Sequence, residues 1–242
     1  MATLAISIEH SADFRLCGES GQGMDMIRSA MMALALGAAM AGAAACSPGG
    51  ATEVAAEKVS ENTYVTKQFG MTAAAPEGWY VMDSEVTEKL MDLGKEITTA
   101  DFDSRTKAAM ESSMNRTTNI FGFLKYAPGA PRDDGAAIMA LAEDVSIAPG
   151  IERGSDYFFH MRKLLEQPGS NTQINGDYTT VDIGGHSFDR MDVTMTTMGV
   201  PVQQRYFAAR HGKHVIAFIQ SYVTDEDLAT LDGVLKSVKL DW

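Results

Sequence analysis

Cysteine is almost absent from this chain. Its two thiols in 242 residues, Cys17 and Cys46, both precede the region that reads as folded. A disulfide framework and a Cys-ligated metal site are therefore excluded there. Basic clusters are missing as well: 20 Lys and Arg stand against 32 Asp and Glu, a formal charge of −12. Removing residues 1–45 takes away four acids and two bases and leaves −10. Such a surface repels phosphate backbones and anionic head groups, which argues against nucleic acid as a partner. No Gly-x-Ser-x-Gly elbow, His-Glu-x-x-His pair or Walker loop occurs, so no familiar catalytic motif points to an enzyme. Beyond residue 62 there is no repeat and no low-complexity stretch. With an ordinary apolar share of 45%, one globular domain over 63–242 is expected.

The segment in front of that domain has a different character. Residues 29–45 are apolar and uncharged, preceded by Arg28 and closed by small residues before Cys46. A basic start, an apolar middle and a small-residue exit are the layout of a cleaved signal peptide, here residues 24–45. A transmembrane anchor is the alternative. Seventeen residues rich in Ala and Gly, with no basic stop after them, fall short of the ~20 strongly apolar residues of a span. Counted from Met1, the run-in carries four acids against two bases, the wrong sign for export, and a start at Met24 or Met26 restores it. Residues 1–23 are thus expected to reflect a mis-assigned start. Ala43-Ala-Ala-Cys46 resembles the lipobox of bacterial lipoproteins, in which the Cys thiol is acylated and becomes the first mature residue. Ala43 stands where Leu is preferred, which keeps ordinary cleavage after Ala as the alternative. Lipidation is favoured because Cys46 is the sole thiol left after cleavage. Ser47-Pro-Gly-Gly50 and the polar residues to Asn62 then read as a flexible tether, 46–62. Ser47 after the Cys resembles the outer-membrane sorting pattern of Gram-negative lipoproteins, so the expected location is the periplasmic side of an envelope membrane.

Periodicity lays out the domain. Residues 63–74 are β-rich and run into the turn signal Pro76-Glu-Gly78-Trp79. A helix follows, with Ser84 as cap and Val86, Leu90, Leu93 and Ile97 at helical spacing, then a mostly polar one over 101–115. Strands are expected at 118–126 and 136–147. The next helix starts at Ser155, buries Phe158, Met161 and Leu165, and stops before Pro168-Gly169. A meander of four strands comes after it, 177–183, 186–197, 200–210 and 214–223, joined by short Gly-bearing turns. The last helix has Thr224 and Asp227 as a capping-box-like pair and a stripe of Leu228, Leu231, Leu235 and Val238. In residues 215–222 both alternating sets are apolar, Val215, Ala217 and Ile219 against Ile216, Phe218 and Tyr222, and residues 136–145 behave likewise. Such strands are covered on both faces. The expected class is α+β, a three-layer α/β/α sandwich with a largely antiparallel central sheet.

The Pro76-x-Gly78-Trp79 signal, the Gly184-Gly185 hairpin, the Gln204-x-Tyr206 strand and the closing helix after Thr224 together resemble a known superfamily. It holds the PsbP photosystem subunits, the Ran-binding nuclear-import protein of yeast and many bacterial lipoproteins. The resemblance spans most of residues 63–242 and implies a non-enzymatic module that binds other proteins, with no cofactor. Ran or photosystem binding is not carried over, because an exported bacterial protein meets neither partner.

Three groups of residues are candidates for chemistry. If Met198-Gly199 and Gly212-Lys213 are two-residue turns, His186, His211 and His214 fall in one row across three strands. Opposed Cβ atoms stand ~5 Å apart, near enough for two imidazoles to share a metal ion. The outer pair is about twice as far apart and no third ligand is evident, so solvated turn residues are the plainer reading. Met191, Met195 and Met198 lie close together as copper(I) ligands would, yet Met191 and Met195 share a strand face with Val193 and packing accounts for them. Asp101 and Asp103 near a helix start are accounted for by the helix dipole. Tyr157, Phe158 and Phe159 are consecutive on one helix, so at least one must be exposed or cover a loop, and Tyr157 and Phe159 form the candidate interaction patch. The functional expectation is a lipid-anchored, non-catalytic module that holds an envelope or secreted protein. A small-ligand or metal carrier using the histidine row is the alternative, and a hydrolase with an unrecognised site the third reading.

Overall fold

The computed structural model describes residues 56–87, 89–90, 104–130, 135–166, 171–197 and 199–242. Cys46, the signal segment, Leu93, Ile97, Asp101, Asp103 and Met198 lie outside the described residues.

Strands β1 (Glu57–Lys58), β2 (Thr63–Thr66) and β3 (Met71–Ala74) pair antiparallel in sequence order. The stretch expected to be one β-rich run is thus a hairpin. Its turn closes at Gly70, where φ is 52° and a Cβ would stand 2.8 Å from the Asp241 carbonyl oxygen, so only glycine fits without strain. β4 (Tyr80–Val81) follows the Pro76 turn. The helical residues 84–87 and 89–90 come next, and their cap is Asp83 rather than Ser84: Asp83 Oδ1 accepts from the Val86 N–H at 2.8 Å. The polar helix α1 (Ser104–Met114) leads into β5 (Thr117–Leu124) and β6 (Ala137–Asp144). Helix α2 (Gly154–Leu165) buries Phe158, Met161 and Leu165 as its spacing predicts. β7 (Thr172–Ile183) begins well before Asp177, because the Gly176-Asp177 step is a bulge within the strand and not its start. β8 (His186–Thr197), β9 (Val200–His211) and β10 (His214–Tyr222) complete the meander. Helix α3 (Asp225–Ser237) follows, and β11 (Lys239–Leu240) ends the chain. Thr224 caps α3, its hydroxyl oxygen accepting from the Asp227 N–H at 3.2 Å and donating to Asp227 Oδ2 at 2.8 Å.

Among the described residues, pairing yields a seven-stranded sheet in the order β4-β5-β6-β10-β9-β8-β7 and a four-stranded sheet β1-β2-β3-β11, with every adjacent pair antiparallel. One face of the large sheet is covered by α1 and α2, where Met110, Phe158 and Met161 pack over Met139, Leu141, Met191 and Tyr206. The other face is covered by α3 together with the small sheet, Leu231, Leu235, Phe69 and Met71 packing over Ile120, Phe188, Phe207 and Phe218. Each such side chain, fully buried, stabilises the fold by ~1.5–3 kcal/mol. The three layers are those the residues predict. The correction lies in the third layer, which is a helix beside a small sheet instead of helices alone, since two-residue strands leave no periodicity to read.

Gly154 brings the start of α2 against the β9 backbone, with Ala208 O the atom a Cβ would meet first. G154A is expected to destabilise the domain by about 1–3 kcal/mol through overpacking. The urea midpoint reads this out, with G150A, whose Cβ would enter open space, as the control that stays unchanged.

Candidate functional site

The histidine row is where the turns put it. His211 faces His214 directly across β9 and β10, and the β8–β9 register, running from Thr197 opposite Val200 to Asp189 opposite Ala208, continues toward His186 beside His211. Gly184, Gly185 and Gly212 take positive φ values of 62°, 85° and 59° in the turns that set these registers. Aromatic rings cover the row. The Trp242 indole stacks on His211 with centroids 4.5 Å apart and lies 4.9 Å from His186, while Phe69 meets His214 edge-on at 5.4 Å. Trp242 Nε1 donates to the Phe69 carbonyl at 2.9 Å and so fixes the indole in place. Burial lowers the His214 imidazole from its ordinary range, opposed by Asp144. Among the described residues no group of three or more His, Cys, Asp or Glu is arranged to hold a metal ion.

A second constellation carries no recognisable motif in the sequence. Met139, Leu141, Glu143 and Val145 alternate on one face of β6, and three of the four are apolar core. The fourth, Glu143, is just as buried, at 3% exposure. Its carboxylate is a joint between three elements: Ser113 Oγ of α1 donates to Oε1, Tyr157 Oη of α2 donates to Oε2 at 2.8 Å, and Arg116 Nη2 stands 3.5 Å away. Burial dominates and pushes the carboxyl up to about 7, while the Ser113, Tyr157 and Arg116 contacts pull it back. The signal available in the sequence was an acid at the apolar beat of a two-residue alternation.

That network corrects the expected interaction patch. Tyr157 is 2% exposed and Phe158 1%, both in the core, so Tyr157 is an anchor of the Glu143 joint and is removed from the patch. Phe159 alone points outward, 55% exposed, with Lys163 Nζ 4.3 Å from its ring centroid and the His160 ring 5.5 Å away. Met191, Val193 and Met195 line the same cluster under α2, which is packing as expected. Ser104 and Lys107 have a Ser-x-x-Lys spacing on the first turn of α1, but both are exposed, and a lysine acting as a base needs desolvation.

Sheet order, layers and a buried polar joint define an α+β domain with a central antiparallel sheet. Solved structures to which the chain is similar include LpqN of Mycobacterium tuberculosis, described as involved in cell envelope biogenesis, at 16% identity over 70% of this chain and 82% of that one, TM-score 0.38. Cyanobacterial PsbP from Synechocystis sp. PCC 6803 is similar at 12% identity over 81% and 98% of the two chains, TM-score 0.43. No protein-family model matches the chain, and no curated protein matches it by sequence. Identities at this level transfer no residue role.

The raised carboxyl has a pH consequence. Below about 4.5 Glu143 is protonated in the folded and unfolded chain alike, and between there and about 7 only the fold retains the proton. Its stabilising contribution is therefore full at acid pH and is lost as pH rises through that window, by on the order of 3 kcal/mol. E143Q, neutral throughout, is expected to gain stability relative to wild type between about pH 5 and pH 8 by a comparable amount. A difference that stays constant across those pH values contradicts the assignment.

Proposed function

We propose that the chain is an envelope-associated, non-catalytic interaction module, hung on a membrane by an acylated Cys46 and presenting the outer face of α2 to an envelope or secreted protein. Phe159 is the observation that carries this reading. Its two aromatic predecessors are core residues, whereas its own ring is more than half exposed under the cation of Lys163. Exposed aromatic side chains are enriched at protein contacts, and the Lys163 ammonium holds this ring by a cation–π contact. Glu143, the carboxyl that burial raises to about 7, joins α1 and α2 to β6 inside the core instead of facing a substrate, which favours a module without catalysis. What supports attachment through Cys46 is its place directly after the apolar, small-residue stretch 29–45.

Two measurements test it. Radiolabelled palmitate is expected to mark the wild-type protein and not C46S, and an unlabelled wild type removes the anchor. A photo-crosslinking phenylalanine at position 159 is expected to trap one dominant envelope protein, with the same probe at the exposed Thr180 of β7 trapping none. F159S should lose that partner with a melting temperature within about 2 °C of wild type, because surface substitutions shift stability little. Equal trapping at both positions sinks the patch.

The carrier reading retains one specific observation, the direct opposition of His211 and His214. Zinc titration followed by calorimetry decides it: heat at micromolar metal that disappears in H214A supports a metal site, and its absence in the wild type ends that reading.

A further inference from the structure

Beyond α3, on the face it shares with the small sheet, lies a cleft of about 530 Å³, within the ~300–1,000 Å³ range of small-ligand sites. One wall is hydrocarbon, made by Val181 of β7, Phe207 of β9, and Leu235 and Val238 at the end of α3. Arg190, Arg205 and Lys236 also line it, three cations on one concave surface of a chain whose formal charge is −12. Asp182 and Asp232 are the acids that share the lining, and Asp182 is engaged by its own turn, accepting from the Gly185 N–H at 3.2 Å.

The two arginines differ in how well they are matched. Arg190 holds Asp192 with two N–H groups, Nε at 2.6 Å, a fork filled by one carboxylate. Arg205 reaches Asp232 Oδ1 only at 3.4 Å, an oxygen that also takes Gln220 Nε2 at 3.3 Å; its guanidinium also stands 5.6 Å from the Tyr222 ring centroid and lies opposite Asp192, whose carboxylate Arg190 already holds. Arg205 Nε and the Oε1 of the fully buried Gln220 are without a hydrogen-bond partner among the described residues, and the two side chains are directly opposed across β9 and β10. Two buried polar atoms without a partner among the described residues thus lie side by side at the cleft. At the end of α3, Ser237 Oγ donates to Val234 O at 2.7 Å and Val238 N–H to Leu235 O at 3.2 Å, and the Lys236 ammonium offsets the negative end of the helix dipole beside the cleft.

We propose that this cleft binds a small amphiphile with a carboxylate head, the head on the under-matched guanidinium of Arg205 near Lys236 and the hydrocarbon along Val181, Phe207 and Leu235. A planar guanidinium matches a carboxylate, and the apolar wall selects a ligand with a tail over a bare ion.

Decanoate is the probe, titrated calorimetrically into the purified protein. Saturable binding below millimolar concentration is expected, with decanol and acetate each at least about tenfold weaker, since one lacks the charge and the other the tail. R205Q should weaken decanoate about tenfold or more, and K236Q only about two- to threefold. V181W fills the cleft while leaving both ion pairs in place and should abolish binding, which decides the matter alone if R205Q fails to fold by circular dichroism. F159S should bind decanoate like wild type, so this result is separable from the docking surface on α2. No binding at millimolar decanoate, equal binding of decanol, or affinity unchanged in V181W each overturns the proposal.

Discussion

Everything in this domain hangs on the pairing of β6 with β10. The large sheet consists of two antiparallel runs, β4 to β6 and β7 to β10, and this pairing alone joins them, from His214 opposite Asp144 to Ser221 opposite Ala137. Both strands are apolar on both faces, so pairing them in water would expose two hydrocarbon surfaces at once. The sheet therefore needs two further layers, and the chain supplies them from four places: α1 and α2 on one side, α3 and the hairpin β2–β3 on the other. β11 then ties the chain end to β3, which brings the first and last described strands into one small sheet.

Polar joints decide how those layers sit. Apolar burial is non-directional. Helix α1 has a mostly polar surface, with Met110 fully buried and Met114 partly so, too little hydrocarbon to fix its orientation. Its end is instead pinned by directional contacts. Ser113 donates to Glu143, Arg116 Nη1 to the Ser112 carbonyl at 2.8 Å, and Thr117 Oγ1 to the Ser113 carbonyl at 3.0 Å. Truncating one partner of such a network leaves a buried group unsatisfied, which costs about 1–3 kcal/mol and explains why a carboxyl is tolerated where its neighbours are methionine and leucine. Gln204, Ser221 and Tyr206 form a comparable buried chain nearby, Gln204 Nε2 donating to Ser221 Oγ at 3.0 Å and Tyr206 Oη to Gln204 Oε1 at 2.7 Å.

Legibility in the sequence followed the length of the repeating signal. The meander from β8 to β10 could be placed to within a residue because Gly-bearing turns fix register, and register carried the histidine alignment with it. Helix α3 was equally plain, its cap and its apolar stripe agreeing. The small sheet was illegible for the opposite reason: β1 and β11 have two residues each, below any period, and only tertiary contact makes them strands. Tyr157 was misplaced because consecutive aromatics on a helix say that one must face outward without saying which. That choice belongs to Glu143, on strand β6 and fourteen positions away, whose carboxylate draws the phenol inward. The aromatic cover of the histidine row was hidden likewise, since Trp242 and Phe69 reach it from the two ends of the described chain.

The exposed ring of Phe159 and the cleft beside Arg205 lie on opposite sides of the sheet, so nothing passes between them except through the strands. β7, β8 and β9 each touch both α2 and the cleft, and β9 is the central one for the polar contacts here. Arg205 turns one way toward Asp232 and the cleft, while its neighbours Gln204 and Tyr206 turn the other way into the core under α2, and Tyr206 lies near enough to Tyr157 to raise its phenol further. Successive side chains of a strand point to opposite faces, which makes this three-residue segment a direct mechanical link between the two surfaces. The link is stiff, because Tyr206 is fully buried and Gln204 is held by two hydrogen bonds. A well-packed interior resists small displacements, so occupancy of the cleft leaves α2 in place unless it moves β9 as a unit. The geometry accordingly favours two surfaces that act independently on one rigid frame.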